Sequence, residues 1–218
     1  MSSSELMTLV LPSLFVAIAV TSLFVLRGRE QKPIPLLQVQ ADRLGGSVRS
    51  RALGFYVYLE FEHCGIRARL RCRRGSKANM ESDESLTQRS PSTIVSAELE
   101  APASLKLNVR NDDARTAINR ALGVESLETG NADFDKHFHM QSNDETFALE
   151  FMDSNLQRQM LTVTKTLKWP PRLSLDLSEL ELRTDYILKD SAEFEALTDC
   201  FIAMLERANS MQLALRAG

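Results

Sequence analysis

The sequence predicts an α+β fold: an N-terminal transmembrane helix followed by antiparallel β-hairpins, with helices packed on one face of the strands. Three observations predict it. Residues 6–26 form an apolar run without a charged residue. Several later segments alternate polar and apolar residues with the period of two that half-buried strands show. Residues 191–215 place their apolar side chains at the spacing of a long amphipathic helix.

The apolar run at 6–26 has the length of about 20 residues that a helix needs to cross a membrane. Three basic residues follow it directly: Arg27, Arg29 and Lys32. Because basic flanks stay in the cytoplasm, we expect a single-pass protein of the inner membrane with residues 1–5 outside. A cleaved signal peptide is the alternative, but no basic segment precedes the run. Residues 27–35 then form a basic linker and residues 36–218 a cytoplasmic domain, which begins with a short helix at 36–44.

Charge is divided unevenly along the chain, although the formal net charge is only −3. Residues 27–77 contain 12 Lys and Arg against 4 Asp and Glu, whereas residues 78–218 contain 14 against 24. A basic segment close to a membrane is attracted to anionic lipid headgroups, which makes lipid one expected partner. Positive-inside topology and a solvated sheet face explain the same charge equally well.

The first hairpin is predicted from residues 55–62 and 67–74, which alternate in character and flank the turn residues Cys64-Gly65. Closing the hairpin there sets four polar pairs opposite one another: Glu62 with Arg67, Glu60 with Arg69, Tyr58 with Arg71, and Tyr56 with Arg73. Glutamates then neutralise two of the arginines. The basic residues left without a glutamate form the predicted lipid-binding set: Arg71, Arg73, Arg74 and Lys77.

A second hairpin is predicted from residues 93–100 and 104–110, which flank Ala101-Pro102-Ala103 and place Val95 opposite Val109. Together the two hairpins predict a four-stranded antiparallel sheet with one buried face. The other segments are expected as follows: a polar loop at 75–93, a helix at 113–123, a helical stretch from 144 with a break near 153–155, a strand pair or one long strand at 172–186, and the helix at 191–215. Trp169 is expected to plug the core at a helix end.

The densest group of potential metal ligands lies at residues 133–139. If this segment were extended, four side chains would share one face: Asp133, Asp135, His137 and His139. Carboxylates and imidazoles bind zinc, iron or manganese, so a metal-dependent enzyme is one hypothesis. The favoured interpretation is a turn or short helix in which Phe134 and Phe138 plug the core and the polar residues face solvent.

The segment around these residues resembles part of a group of uncharacterised bacterial membrane-anchored proteins. Their pattern is Gly-(Asp/Asn)-x-x-Phe-Asp-x-x-Phe-x-(Val/Met), and six residues match it here: Gly130, Asn131, Phe134, Asp135, Phe138 and Met140. The resemblance covers about a quarter of the chain. It implies an α+β domain of unknown function behind one or two transmembrane helices, and a structural motif at Gly130, Phe134, Asp135 and Phe138. It assigns no catalytic residue.

The sequence contains no nucleophile elbow, P-loop or dinucleotide-binding glycine pattern, and we assign no catalytic residue and no cofactor. The acidic distal part disfavours nucleic acid as a partner. The sequence therefore predicts a single-pass membrane protein whose cytoplasmic domain is a non-enzymatic interaction module, with the bilayer and a membrane or cytoplasmic protein as partners. Two alternatives stay open: a sensor of anionic lipid surfaces, and the metal-dependent enzyme.

Overall fold

The computed structural model describes residues 34–51, 56–73, 91–111 and 126–211. These residues form one antiparallel sheet of eight strands and five helices. The strands are β1 (Ser47–Arg51), β2 (Tyr56–His63), β3 (Ile66–Arg73), β4 (Ser92–Glu98), β5 (Leu107–Asn111), β6 (Phe138–Ser142), β7 (Arg172–Asp176) and β8 (Glu179–Thr184). The helices are α1 (Ile34–Leu44), α2 (Ala132–His137), α3 (Glu145–Phe151), α4 (Ser154–Thr166) and α5 (Ser191–Ser210). The strand order is β1-β2-β3-β4-β8-β7-β5-β6.

The core lies on the face of the sheet that the helices cover. One row of directly opposed residues crosses all eight strands: Val48, Leu59, Leu70, Val95, Leu182, Leu173, Val109 and Met140. From Leu59 to Met140, every member of this row is 0% exposed. The buried apolar residues of all five helices belong to the same cluster. Burying each such side chain contributes roughly 1.5–3 kcal/mol, so this row does much to hold the strands in register.

The fold class predicted from the sequence needs correction. The α+β class is confirmed, but the described strands form one continuous eight-stranded sheet, whereas the sequence predicted a four-stranded sheet of two hairpins and a further strand pair. In the part of the chain that the structure describes, no helix is both long enough and apolar enough to span a bilayer. The segment 6–26, for which a transmembrane helix was predicted, lies outside the described residues, as do residues 1–5 and the linker up to residue 33.

The first predicted hairpin is confirmed in its register. Strands β2 and β3 pair with Glu62 opposite Arg67, Glu60 opposite Arg69 and Tyr58 opposite Arg71. Cys64 and Gly65 form the two-residue turn, with positive φ angles of 53° and 77°, as a type I′ hairpin turn requires.

The second predicted hairpin is wrong. Strand β4 pairs with β3 and β8, and β5 pairs with β6 and β7. Two strands, β8 and β7, therefore lie between the predicted partners. The backbone N–H of Leu99 donates to the carbonyl of Ser178 at 2.8 Å, which extends the β4–β8 pairing beyond the strand ends. Leu99 and Leu105 are both buried, so the segment that joins β4 to β5 packs into the core instead of closing a turn.

Most of the remaining elements agree with the predictions. The short first helix, the strand pair at 172–186 and the last helix are all present. The helical stretch from residue 144 breaks into α3 and α4 at Asp153, whose side chain caps α4. The helix predicted at 113–123 and most of the polar loop at 75–93 lie outside the described residues, but Ser92 and Thr93 begin strand β4.

Helix α1 is held against α5 by a polar network. The Arg43 guanidinium forms an ion pair with Asp199 and donates a hydrogen bond to the Thr198 hydroxyl. Its Nε donates to the side-chain oxygen of Gln40 at 3.0 Å, and Gln40 is 0% exposed. The first helix is therefore part of the domain core and not a peripheral appendage.

Candidate functional site

The strongest concentration of charge lies on the sheet face opposite the core. Alternate residues of a strand point to opposite faces of the sheet, so the charged residues that alternate with the core residues all lie on this side. Six arginines of β1, β3, β7 and β8 lie on the part of this face away from the β2–β3 and β7–β8 turns, and we call the surface they form the arginine face: Arg49, Arg69, Arg71, Arg73, Arg172 and Arg183. Three carboxylates lie among them: Glu60, Glu181 and Asp185. The buried apolar side chains of the described helices all join the cluster on the other face.

On the β1–β2–β3 side of this surface, Glu60 lies between two arginines. Its carboxylate is 2.9 Å from Arg49 Nε and 3.4 Å from Arg69 Nε. Both arginine side chains remain more than half exposed, at 60% and 54%. One carboxylate therefore compensates two guanidinium groups that solvent can still reach.

In the centre of the sheet, Arg71 Nη2 lies 3.6 Å from Glu181 Oε2. Because β3 and β8 are the two neighbours of β4, this ion pair reaches across that strand. Burial raises the pKa of Glu181, while the positive charges of Arg71, Arg183 and Arg73 lower it and Glu179 raises it further. Arg71 is thus paired with a glutamate, and the prediction that it has none is wrong.

Beyond β8, Asp185 is shared between Arg172 at 2.9 Å and Arg183 at 3.4 Å. These six arginines therefore share three carboxylates, and this part of the face keeps a positive charge. Closer to the β2–β3 and β7–β8 turns the same face carries Arg67 together with Glu62, Glu98, Glu179 and Asp176, so the positive excess is local. Guanidinium groups bind carboxylates and phosphates through two parallel hydrogen bonds. Such a surface is chemically suited to an anionic partner.

An apolar residue lies in the middle of this charged surface. Ile94 is 2% exposed but does not belong to the core cluster. Its directly opposed neighbours are Arg71 on β3 and Arg183 on β8. The aliphatic part of an arginine can cover apolar surface while its charged end reaches solvent. The side chains of Arg71 and Arg183 can cover Ile94 in this way.

Of the four predicted lipid-binding residues, Arg71 and Arg73 lie on the arginine face and are exposed. Arg74 and Lys77 lie outside the described residues. Apart from Arg69, the remaining arginines of the face come from β1, β7 and β8, and the sequence did not predict that these strands share a sheet face with β3. The alternating charges at 172–186 indicated that this segment has a charged sheet face, but only the strand order brings that face beside Arg71.

The predicted metal ligands do not converge. Asp133 and His137 are exposed on helix α2, where His137 Nδ1 lies 2.7 Å from the backbone oxygen of Asp133. The Asp135 carboxylate bonds to the preceding turn, and His139 is buried on strand β6. The extended arrangement does not occur because residues 132–137 are helical. Among the described residues, no group of three or more His, Cys, Asp or Glu is placed to hold a metal ion.

The same segment forms a compact helix start. Gly130 has φ +80°, and the Asn131 side chain caps the helix by accepting from the backbone N–H of Phe134. The Asp135 carboxylate accepts hydrogen bonds from the backbone N–H of Thr129 at 3.0 Å, from its hydroxyl at 2.8 Å, and from the Gly130 N–H at 3.2 Å. Phe134 and Phe138 are buried and stack at 4.9 Å between ring centroids.

Trp169 is not the core plug that the sequence predicted. It is 54% exposed, and the Lys168 ammonium lies 5.5 Å from the centre of its ring. It precedes β7, at the sheet end where β3 finishes with Arg73. A large aromatic ring and several cations therefore lie at one end of the sheet.

The comparisons with known proteins identify no family. No family model and no curated protein matches the chain. Among solved structures, the chain is similar to the crystal structure of the mycobacterial trehalose monomycolate transport factor A, with a TM-score of 0.43 and 10% sequence identity over 83% of this chain and 96% of that chain. At this TM-score the likeness establishes neither a common fold nor a function.

Proposed function

We propose that this domain is a non-enzymatic interaction module that binds an anionic partner protein on the arginine face. One observation carries the proposal: on the sheet face opposite the described helices, away from the β2–β3 and β7–β8 turns, six arginines share three carboxylates. A protein that presented carboxylates to this face would complete the pairing that Glu60, Glu181 and Asp185 begin. Arginine is also enriched at the energetically important centres of protein interfaces.

The free domain presents groups that such a partner can bind. The side chains of Arg49, Arg69 and Arg71 are 60%, 54% and 48% exposed beside their carboxylates, so a partner can reach their guanidinium groups. Ile94, between Arg71 and Arg183, is already buried at 2% exposure, so a partner would contact the guanidinium groups themselves.

A second candidate is binding to an anionic lipid surface. It is favoured by the exposed Trp169 and Lys168 at the sheet end that also carries Arg73. Tryptophan is enriched where proteins meet the membrane interface, and each basic residue near an anionic surface adds about 1 kcal/mol. The metal-dependent enzyme is not favoured, because its four ligands do not converge.

The test compares an Arg71→Gln/Arg73→Gln variant with a matched control, Arg158→Gln/Lys165→Gln, whose charges lie exposed on helix α4. A photocrosslinker placed at Tyr58 should give protein adducts in cells that the first variant loses and the control keeps. Co-sedimentation with phosphatidylcholine vesicles, with and without phosphatidylglycerol, tests the lipid candidate. Salt-sensitive vesicle binding without protein adducts would favour lipid, and loss of neither signal in the first variant would refute both.

Three conclusions from the sequence stay predictions: the resemblance to uncharacterised membrane-anchored proteins, the location at the inner membrane, and the exclusion of nucleic acid as a partner. Each is open to a direct experiment. The proposal for the arginine face depends on none of them.

A further inference from the structure

A row of basic side chains continues the arginine face toward the β6 edge of the sheet. Arg183 on β8 lies directly opposite Arg172 on β7. The β5–β7 register, continued one residue beyond its last pair, brings Arg110 on β5 beside Arg172. His139 on β6 lies directly opposite Arg110 and is buried. These four residues come from four adjacent strands, and we call them the basic row.

The basic row sets like charges beside one another with few carboxylates to offset them. Like charges directly opposite one another destabilise a sheet. Asp185 is shared between Arg172 at 2.9 Å and Arg183 at 3.4 Å, and Glu181 is paired with Arg71. Among the described residues of this part of the face, the three arginines of the row and Arg71 therefore share two carboxylates. This leaves an excess of two positive charges.

Arg110 carries a buried donor that has no acceptor. Its Nε is shielded from solvent and has no hydrogen-bond partner among the described residues, whereas its Nη2 donates to Gln141 Oε1 at 3.2 Å. Buried polar groups are nearly always hydrogen-bonded, and an unsatisfied one is costly. The next residues along these strands on the same face are the neutral Asn108, Ser174 and Gln141. No described neighbour of this kind offsets the charge of Arg110.

A phosphate dianion fits both the charge and the donors of the basic row. A carboxylate has two oxygens and one charge, and Asp185 already bridges two arginines in that way. A phosphoryl group on serine or threonine carries a charge of about −1.5 to −2 at pH 7 and three acceptor oxygens, which matches the excess of positive charge. Guanidinium groups on neighbouring strands can donate to separate oxygens of one phosphate, and arginine clusters commonly recognise phosphorylated segments.

The exposure of the row favours a phosphorylated polypeptide over a lipid headgroup. The side chains of Arg183 and Arg172 are only 16% and 38% exposed, so most of each side chain is covered. A phosphorylated side chain that projects from a polypeptide can reach such groups, whereas a flat layer of headgroups meets the most protruding cations first. Asn108 is exposed beside the row, and its side chain can form hydrogen bonds with a peptide backbone.

We propose that the basic row binds the phosphoryl group of a phosphorylated segment in a partner protein. The Arg110 Nε–H donates to one phosphate oxygen and the Arg172 guanidinium donates to another, so the bound dianion offsets the repulsion between the two arginines. The inference rests on the proposed function, because it names the group through which a partner protein binds this sheet face. It also extends the binding surface to β5, which contributes none of the six arginines described above.

The test measures the fluorescence anisotropy of a fluorescein-labelled peptide, Gly-Gly-phosphoserine-Gly-Gly, with the full chain. Peptides with serine or glutamate in place of phosphoserine, at the same ionic strength, should bind about tenfold or more weakly. An Arg110→Gln/Arg172→Gln variant should lose about tenfold or more in affinity for the phosphorylated peptide, which corresponds to about 1.4 kcal/mol. The matched control Arg158→Gln/Lys165→Gln removes two exposed charges from α4 and should change the affinity less than about twofold.

A measurement on the wild-type protein keeps the test decisive if the variant does not fold. The NMR signal of the Arg110 Nε–H should shift when the phosphorylated peptide is added, and the melting temperature should rise, because the ligand binds the folded state. An unchanged Nε–H signal would overturn the proposal. So would equal affinity of a folded Arg110→Gln/Arg172→Gln variant and the wild type, or equal binding of the glutamate peptide.

Two more probes distinguish the sources of a phosphate. Inorganic phosphate that binds as tightly as the peptide would overturn the polypeptide as occupant. Binding to phosphatidylcholine vesicles that contain phosphatidic acid, without peptide binding, would overturn it in favour of lipid. Protein adducts at Tyr58 that persist while the phosphorylated peptide fails to bind would support the proposed function and refute this inference. Peptide binding without such adducts would support the basic row and count against the proposed function.

Discussion

At the scale of single residues, the ionisation of the Glu181 carboxyl group depends on two opposing effects, burial and the neighbouring arginines. Its side chain is 23% exposed, and its carboxylate reaches the Arg71 guanidinium across strand β4. Burial nevertheless outweighs the attraction of the arginines and raises the pKa of Glu181. The arginine face is therefore held together by a carboxylate that the fold makes harder to ionise.

This pKa shift predicts a pH dependence for Glu181→Gln. A carboxyl pKa raised above its ordinary value of 4.5 means that the folded state binds the proton more tightly than the unfolded state. The resulting stability is present at acidic pH and is lost as the pH rises through the folded pKa. The free energy of unfolding of the wild type, relative to Glu181→Gln, should fall between pH 4.5 and neutral pH in urea denaturation.

The control for this experiment is Glu145→Gln, which removes an exposed carboxylate from helix α3. Its difference from the wild type should not vary in the same direction over this range. A Glu181→Gln difference that stays constant, or that grows in favour of the wild type as the pH rises, would contradict the assigned environment of Glu181.

At the scale of elements, the turn before α2 is organised by one side chain. The Asp135 carboxylate satisfies the backbone N–H groups of Thr129 and Gly130 and the Thr129 hydroxyl. Unsatisfied donors at a helix start are costly. The acidic and aromatic residues of this segment therefore have a structural explanation that requires no metal.

We expect Asp135→Ala to lower the free energy of unfolding by about 1–3 kcal/mol, because several charge-assisted and partly buried hydrogen bonds are lost together. Chemical denaturation measures the change. Asp133→Ala is the matched control, since Asp133 is exposed on the same helix, and it should change the stability by less than about 0.5 kcal/mol. Equal effects of the two substitutions would refute the structural role of Asp135.

The hairpins show how far a sequence pattern determines an element. In the β2–β3 hairpin, alternation, charge matching and Cys64-Gly65 all favour one register, and the structure has it. In the β4–β5 case, alternation correctly assigns Val95 and Val109 to the buried face. It does not specify the partner strand, since β8 offers β4 an equally apolar row. Local patterns define faces, but distant pairing is decided by how the whole core closes.

At the scale of the whole molecule, the candidate sites follow from strand order. The arginine face combines arginines of β1, β3, β7 and β8. The sequence indicated Arg71 and Arg73 because their hairpin is local. It could not indicate that Arg71 and Arg183 lie on either side of Ile94, because that arrangement exists only after two distant parts of the chain meet.

The docking of α1 on α5 predicts how the first helix responds to substitution. Arg43→Met keeps an aliphatic stem but removes the donors to Gln40, Thr198 and Asp199. Because the buried Gln40 oxygen loses its donor, we expect a loss of about 1–3 kcal/mol in unfolding free energy. Hydrogen exchange should show faster opening of α1. Asp42→Ala, on the exposed side of the helix, is the control, and a similar effect there would contradict the network.

The seam between β4 and β8 also has a consequence for how the chain acquires its structure. Strands β1 to β4 come from one stretch of the chain and β5 to β8 from another, and among the described strand pairings the one between 93–98 and 179–184 joins the two groups. Contacts so distant along the chain form slowly. During synthesis, β4 would have no partner on its β8 side until residue 184 leaves the ribosome, and an unpaired apolar edge invites aggregation. Correct folding therefore depends on rapid pairing of β8 with β4 once β8 has been synthesised.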